Sequence, residues 1–342
     1  MIPLSAIVLL GAAFALSAWL SWRFTRPDSF FHVLDHPNER SLHSNPVPRT
    51  GGVAIVAVWL AAALMVAQMN GPAPWIIATA LLLALVSFVE DRYGVARRYR
   101  MLAHGLAAAA LLPAGLVAQQ LQIGGWALQL ALLPAALLTL LAAIWMINLY
   151  NFMDGMDGFA GGMGVFGFGA LGLIGGLQGA TDFALLNALL AAVCGGFLLW
   201  NFPKARIFMG DAGSTTLGFL AAAMALWAAR DGILPLWGSL LLFSPFIVDA
   251  SVTLLRRAWR GERIWQAHRS HYYQRLVGLG WSHRKTVLRA YLLMLACAAT
   301  ALRSRNFPTE QVFWLLAMWA GVYGMIAYKV RLMERNAGVT AS

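Results

Sequence analysis

Apolar stretches long enough to cross about 30 Å of hydrocarbon recur along nearly the whole 342-residue chain, and no soluble core could bury them all. With 60% hydrophobic and 11% charged residues, too little polar surface remains to cover soluble domains. The expected fold is an all-α membrane protein of about eleven helices, near 2–22, 51–69, 74–90, 101–118, 126–149, 159–177, 182–200, 213–229, 233–255, 287–302 and 311–328. Scattered Gly suits close helix packing, and Pro113, Pro134 and Pro235 read as kinks or helix starts. The run from Ile2 to Trp22 resembles a signal peptide, but its positive charges, Arg23 and Arg26, follow the apolar stretch instead of preceding it. A retained first span with its N-terminus outside is expected.

That orientation places the segments 23–50, 91–100, 150–158, 201–212 and 256–286, with the C-terminal tail, on the cytoplasmic side. Of the 25 Lys and Arg, all but Arg230, Arg303 and Arg305 fall in or beside those segments, as the positive-inside bias requires. The net charge of +11 is therefore spread as a membrane protein spreads it, and no nucleic-acid motif accompanies it. Cys194 and Cys297 lie far apart in apolar runs and read as small core residues. With no clear internal repeat and no low-complexity linker, residues 1–342 read as a single membrane domain in the bacterial inner membrane.

The 14 acidic residues are sparse, and Glu90, Asp91, Asp154, Asp157 and Asp211 sit at or beside the cytoplasmic ends of predicted helices. Helix-end solvation would explain any one of them. The segment Asn148-Leu-Tyr-Asn151-Phe-Met-Asp154-Gly-Met-Asp157-Gly158 is harder to dismiss, because one helical turn would put both carboxylates on one side. Like charges held together call for a cation between them, and hard oxygen donors around phosphate favour Mg²⁺, with Mn²⁺ as a substitute. The expected metal ligands are Asp211, Asp154 and Asp157.

A second cluster, Asn201-Phe-Pro-Lys-Ala-Arg-Ile-Phe-Met-Gly210-Asp211-Ala-Gly213-Ser214, leads into the eighth predicted helix. Gly210 and Gly213 would let backbone approach a ligand, and the helix N-terminus could donate to a phosphate. Two further loops supply cations and imidazoles. One runs from Asp35 through Arg40 and His43 to Arg49; the other holds His268, His271 and Arg275 among tyrosines. Both suit a sugar pyrophosphate or lipid phosphate. His32, His104 and His283 read as surface or packing residues.

Taken in order, the loop with Pro37-Asn-Glu-Arg40-Ser and Pro46-Val-Pro48-Arg49-Thr-Gly51-Gly52, the acidic pair Glu90-Asp91, the Asp154-Gly-Met-Asp157-Gly158 segment, the Phe208-Met-Gly210-Asp211 segment and the His-rich loop resemble the polyprenyl-phosphate N-acetylhexosamine-1-phosphate transferase family. The resemblance covers Asp35 to about Lys285. It implies a helical bundle with a cytoplasmic cleft, a UDP-N-acetylsugar donor, undecaprenyl phosphate as acceptor and Mg²⁺ at Asp211. It also implies nucleotide or phosphate roles for Asn148, Asn151, Asn201, Gly210 and Ser214. Glu90 stands where the family has Asp. The last loop lacks the three consecutive histidines of peptidoglycan-type members, so the chain looks more like the O-antigen initiating branch. A homodimer is compatible with these features.

The expected chemistry is attack by a lipid phosphate oxygen on the β-phosphorus of the UDP-sugar, with UMP leaving. A cation-coupled transporter or flippase is the rival, but it predicts acids near mid-membrane. CDP-alcohol phosphatidyltransferases are a second rival, and their DGxxAR spacing is absent.

Overall fold

The computed structural model describes residues 4–338 except 38–41, 43, 44, 69, 264, 265 and 267. Helix α1 (Leu4–Phe24) leads into a loop closed by the short antiparallel pair β1 (Leu34–Asp35) and β2 (Val47–Pro48). Then come α2 (Gly51–Val66), α3 (Ala73–Tyr93) and α4 (Arg97–Ala109), followed by the hairpin β3 (Gln120–Ile123) and β4 (Trp126–Gln129). The remaining helices are α5 (Leu132–Phe152), α6 (Phe159–Leu177), α7 (Thr181–Asn201), α8 (Asp211–Arg230), α9 (Leu236–Leu242), α10 (Ser244–Trp259), α11 (Tyr272–Gly278), α12 (His283–Ser304) and α13 (Thr309–Asn336).

Among the described residues, eight helices are long and apolar enough to cross a membrane, nine if α9 and α10 count as one bent span. The chain is thus an all-α, multi-pass membrane protein, and four of its predicted spans are corrected. The stretch 51–69 yields only the sixteen-residue α2, cut short before Asn70-Gly71-Pro72. In the stretch 101–118, α4 ends at Ala109, four residues before Pro113, whose ring would clash with that carbonyl. The chain continues as a buried irregular segment through Leu111, Ala114, Leu116 and Ala118, and Ala118 N–H donates to Thr139 Oγ1 (3.0 Å). The stretch 233–255 breaks at Phe243, where Pro245 in the first turn of α10 allows a bend of 81°. Residues 126–129, expected to be helical, form strand β4 instead.

Helix α8 is the axis of the bundle, with sixteen of its twenty residues buried. Small residues make this possible: a Cβ on Gly218 would press on Ile147 Cα and Met146 O of α5 at 2.8 Å. The outermost helix, α13, buries only Val312, Trp319, Val330 and Glu334, and presents Phe313, Trp314, Met318 and Met325 outward, as expected of a face turned to lipid. Cys194 and Cys297 are free and buried, in keeping with their reading as small core residues. The packing gathers the C-terminal ends of α3, α5 and α7 with the N-terminal ends of α2, α4, α6 and α8 at one end of the bundle.

Candidate active site

The centre of that end is an acidic cluster built around the N-terminus of α8. Asp91, with no exposed side-chain surface, accepts from the backbone N–H groups of Asp211 (3.1 Å) and Ala212 (3.0 Å). It also accepts from Arg49 Nε (2.9 Å) and Nη2. The helix N-terminus expected to bind a substrate phosphate therefore already holds an internal anion, Asp91. Gly210 and Gly213 are both required by packing. Gly210 has φ 72° and lies against the Arg49 carbonyl and Asp91, while Gly213 meets Gly52 at the crossing of α2 and α8.

Around this pivot the other carboxylates face one another. Asp211 Oδ1 accepts from Asn151 Nδ2 (2.9 Å), which also reaches Ser214 Oγ (2.9 Å). Its Oδ2 lies 3.7 Å from Arg100 Nη1, which is also paired with Glu90. Arg49 extends to Asp35 (3.4 Å). Asp154 stands beside Asp211 and Asp91, and among the described residues its carboxylate receives no hydrogen bond. Loss of hydration, then the charges of Asp211 and Asp91, hold its carboxyl well above the usual carboxylate range. Among the described residues, Glu90, Asp91, Asp154 and Asp211 thus gather around two guanidiniums, those of Arg49 and Arg100.

Asp157 does not join this group. Residues 153–158 are a turn rather than a helix, with Gly158 at φ 75°, so the three-residue spacing does not put both aspartates on one side. Asp157 instead accepts from Ala205 N–H (3.1 Å) and lies 3.3 Å from His283 Nδ1. Together they line a cavity of about 360 Å³ with Phe208, Lys204, Arg284 and Asn45. His283, expected to be a surface or packing residue, is part of that wall.

Asn201 is spent on structure: its Oδ1 accepts from Gly158 N–H (2.9 Å) and its Nδ2 donates to Ile207 O (2.8 Å), which stitches two loops together. Asn148 donates to Ile144 O within α5 (2.7 Å). Arg275, expected to bind substrate, forms a bidentate ion pair with Glu334 (2.6 Å for both contacts), buried on both sides. His268 bonds Ser270 Oγ through Nδ1 (2.8 Å). His271 is buried beside Phe152, the neighbour of Asn151. Arg40 and His43 lie outside the described residues.

Sequence reading missed Arg100, Lys204, His283 and Asp249. Arg100 was submerged in a run read only as positive-inside charge. Asp249 carried a usable signal, a lone carboxylate inside an apolar stretch. A second, mainly apolar cavity of about 630 Å³ opens between α10, α12 and α13, lined by Val252, Leu276, Leu293 and Ala327, with Arg289 and Lys329 among its charged groups.

The comparisons with known proteins agree with this architecture. Residues 73–229 match the model of glycosyl transferase family 4. The chain is 29% identical to the decaprenyl-phosphate N-acetylglucosaminephosphotransferase of Mycolicibacterium smegmatis, over 97% of this chain and 89% of that one. It is 28% identical to a probable undecaprenyl-phosphate N-acetylglucosaminyl 1-phosphate transferase of Bacillus subtilis, over 80% of this chain and 78% of the relative. A phospho-N-acetylmuramoyl-pentapeptide-transferase of M. smegmatis is 33% identical, over only 34% of this chain and 32% of its own length. The family model across the acidic cluster and the near full-length relatives on either side of it support a place for the chain among the polyprenyl-phosphate N-acetylglucosamine-1-phosphate transferases.

Proposed function

We propose that the protein transfers N-acetylglucosamine 1-phosphate from its UDP-sugar to undecaprenyl phosphate, releases UMP, and so starts an O-antigen or related surface polysaccharide. The observation that carries this reading is the charge imbalance at one end of the bundle among the described residues: Glu90, Asp91, Asp211 and an Asp154 carboxylate with no donor gather around Arg49 and Arg100. Such a site favours a divalent cation, and the oxygen-only donors suit Mg²⁺. Among the described residues no three His, Cys, Asp or Glu side chains converge as an all-protein metal cage. Mg²⁺ is commonly held by one or two carboxylates, with substrate phosphates and water completing its shell. Asp211 and Asp154 would hold the ion; Asp157, turned to His283, is withdrawn from the ligand set. When bound, the ion would supply charge neutralisation to the pyrophosphate and to departing UMP.

The protein groups divide the remaining work. Asp91 and Arg49 lock the N-terminus of α8 so that Asp211 keeps one position. Asn151 orients the Asp211 carboxylate. The 360 Å³ cavity brings the Phe208 ring together with Lys204, His283 and Arg284, a combination suited to a nucleobase and its phosphates. The apolar cavity beside α10 offers a wall to a prenyl chain. An oxygen of the lipid phosphate forms a bond to the β-phosphorus, the bond from the β-phosphorus to the bridging oxygen breaks, and UMP leaves with that oxygen and its electron pair. A phosphate monoester, with a second pKa near about 6, is mostly ionised at neutral pH and needs no strong base.

The near full-length relatives carry N-acetylglucosamine in their names, which favours this sugar over 6-deoxy relatives such as N-acetylfucosamine or N-acetylquinovosamine. Distribution of the basic residues supports a periplasmic N-terminus and a cytoplasmic site in the inner membrane. Purified protein incubated with undecaprenyl phosphate, Mg²⁺ and a panel of UDP-N-acetylsugars should release UMP with UDP-N-acetylglucosamine. Release with another sugar alone would reassign the donor, and release with none would overturn the proposal.

A further inference from the structure

The apolar cavity between α10, α12 and α13 carries two exposed cations in its lining, Arg289 and Lys329, that the acidic cluster does not use. Among the described residues neither makes a hydrogen bond or an ion pair. Arg289 Cζ lies 4.5 Å from the centre of the Trp281 ring, which Lys285 Nζ also approaches (4.2 Å). Stacking of this kind fixes the plane of a guanidinium and leaves its N–H edge for an anion. The neighbouring carboxylates are already occupied. Asp249, in the same lining, accepts from the backbone N–H groups of Tyr272 (2.9 Å) and Tyr273 (3.2 Å), and Glu334, beside the lining residue Met333, is paired with Arg275.

The two cations sit at nearly one level. Cys297 Sγ of α12 meets Tyr323 Oη of α13 (3.7 Å), Arg289 comes eight residues before that contact and Lys329 six after it. On helices running in opposite directions these offsets are about 12 and 9 Å toward the same end. That end also holds the acidic cluster, since the start of α12 reaches Asp157 through His283. Beyond the cations the lining is apolar, with Leu293 of α12 and Ala320, Gly324 and Ala327 of α13, and it leaves a slot of about 630 Å³ beside the outermost helix. Its inner wall is Phe159 and Tyr273. Tyr273 Oη donates to Phe152 O (3.2 Å) and occupies the space that a Cβ on Gly155 would need. One layer of side chains therefore parts the slot from the turn that carries Asp154.

We propose that this cavity is the docking site of the acceptor lipid: the prenyl chain lies in the slot and its phosphate rests on Arg289 and Lys329, outside the acidic cluster, before transfer. Charge decides for a prenyl phosphate against an ordinary bilayer lipid. A phosphate monoester carries about −1.5 to −2 at neutral pH and matches two cations, whereas a phosphodiester such as phosphatidylglycerol has one ionisable oxygen and matches only one. The inference rests on the transferase reading above and adds to it the residues that hold the phosphate end of the lipid.

Docking and chemistry separate in the kinetics. In the full-length protein, Arg289→Gln combined with Lys329→Gln should raise KM for undecaprenyl phosphate by about tenfold or more. The kcat for UMP release and KM for the UDP-sugar should stay within about twofold. Ala327→Trp fills the slot while keeping both cations, and it should raise the same KM. A diazirine-bearing polyprenyl phosphate should label α12 and α13 of the wild type, less so in the double variant. Excess undecaprenyl phosphate should suppress that labelling and phosphatidylglycerol should not. An unchanged KM for the acceptor in the double variant would overturn the proposal, and a fall in kcat as large as the rise in KM would move the two cations to the reacting phosphates. Labelling suppressed equally by phosphatidylglycerol would give the cavity to bilayer lipid instead. Both cations are exposed, so the double variant should fold; if Ala327→Trp does not, the double variant decides. A wild type that releases no UMP would sink the transferase reading, and the labelling would still judge the cavity.

Discussion

Two groups of buried charge in this protein look alike on paper and behave as opposites. Where the C-terminal helix meets α11, Arg275 and Glu334 are matched one to one through two contacts of 2.6 Å, with both side chains under a tenth exposed. Around the N-terminus of α8, among the described residues, Glu90, Asp91, Asp154 and Asp211 outnumber Arg49 and Arg100, and Asp154 receives no donor. A balanced pair is complete by itself and holds one helix to another. An unbalanced cluster can take up a charge from outside, and that imbalance, rather than burial or the mere presence of ions, is the ground for the proposed reaction centre.

Breaking the unbalanced side should have the largest effect. Asp211→Asn keeps the shape but removes a charge beside Arg100 and Asp154, and it should abolish Mg²⁺-dependent UMP release, a loss of at least about a hundredfold, with the variant still folded in detergent. Full activity would show that the ion is held elsewhere. The balanced side should respond in the other currency. Glu334→Gln leaves the Arg275 guanidinium sequestered without its counter-charge, at a cost of about 1–3 kcal/mol in stability. Thermal unfolding should show a lower midpoint, while kcat per folded molecule stays within about twofold; a collapse of kcat at unchanged midpoint would place Arg275 in the substrate site after all.

The smallest effect sharpens the contrast through pH. Because the Asp154 carboxyl sits well above the usual carboxylate range, the folded state favours its protonated form. Its contribution to stability is present at low pH and is lost as the pH rises through that raised pKa. Without divalent cation, the unfolding midpoint should therefore fall as the pH climbs above the ordinary carboxylate range, and Asp154→Asn should flatten this slope. Mg²⁺ should restore the midpoint at the upper end, because it favours the ionised form. A midpoint indifferent to both Mg²⁺ and Asp154→Asn would mean the cluster is electrostatically self-sufficient, like the Arg275–Glu334 pair.

By itself, the sequence determined that the chain lives in lipid, that its helices pack through small residues, and that acids gather at one end of the bundle. These follow from transfer free energies and charge placement, which act residue by residue. It also carried a resemblance to the polyprenyl-phosphate sugar-1-phosphate transferases in the order of its motifs. The direction of each acid was decided only by the tertiary structure. Asp154 and Asp157 are three residues apart, yet the glycine turn between α5 and α6 sends one to Asp211 and the other to His283. Asp91 caps α8 across 120 residues of chain, and Asp249 in the middle of α10 meets the start of α11. Which donor a carboxylate meets depends on contacts between distant elements, and hydropathy, periodicity and spacing along one segment contain no record of them.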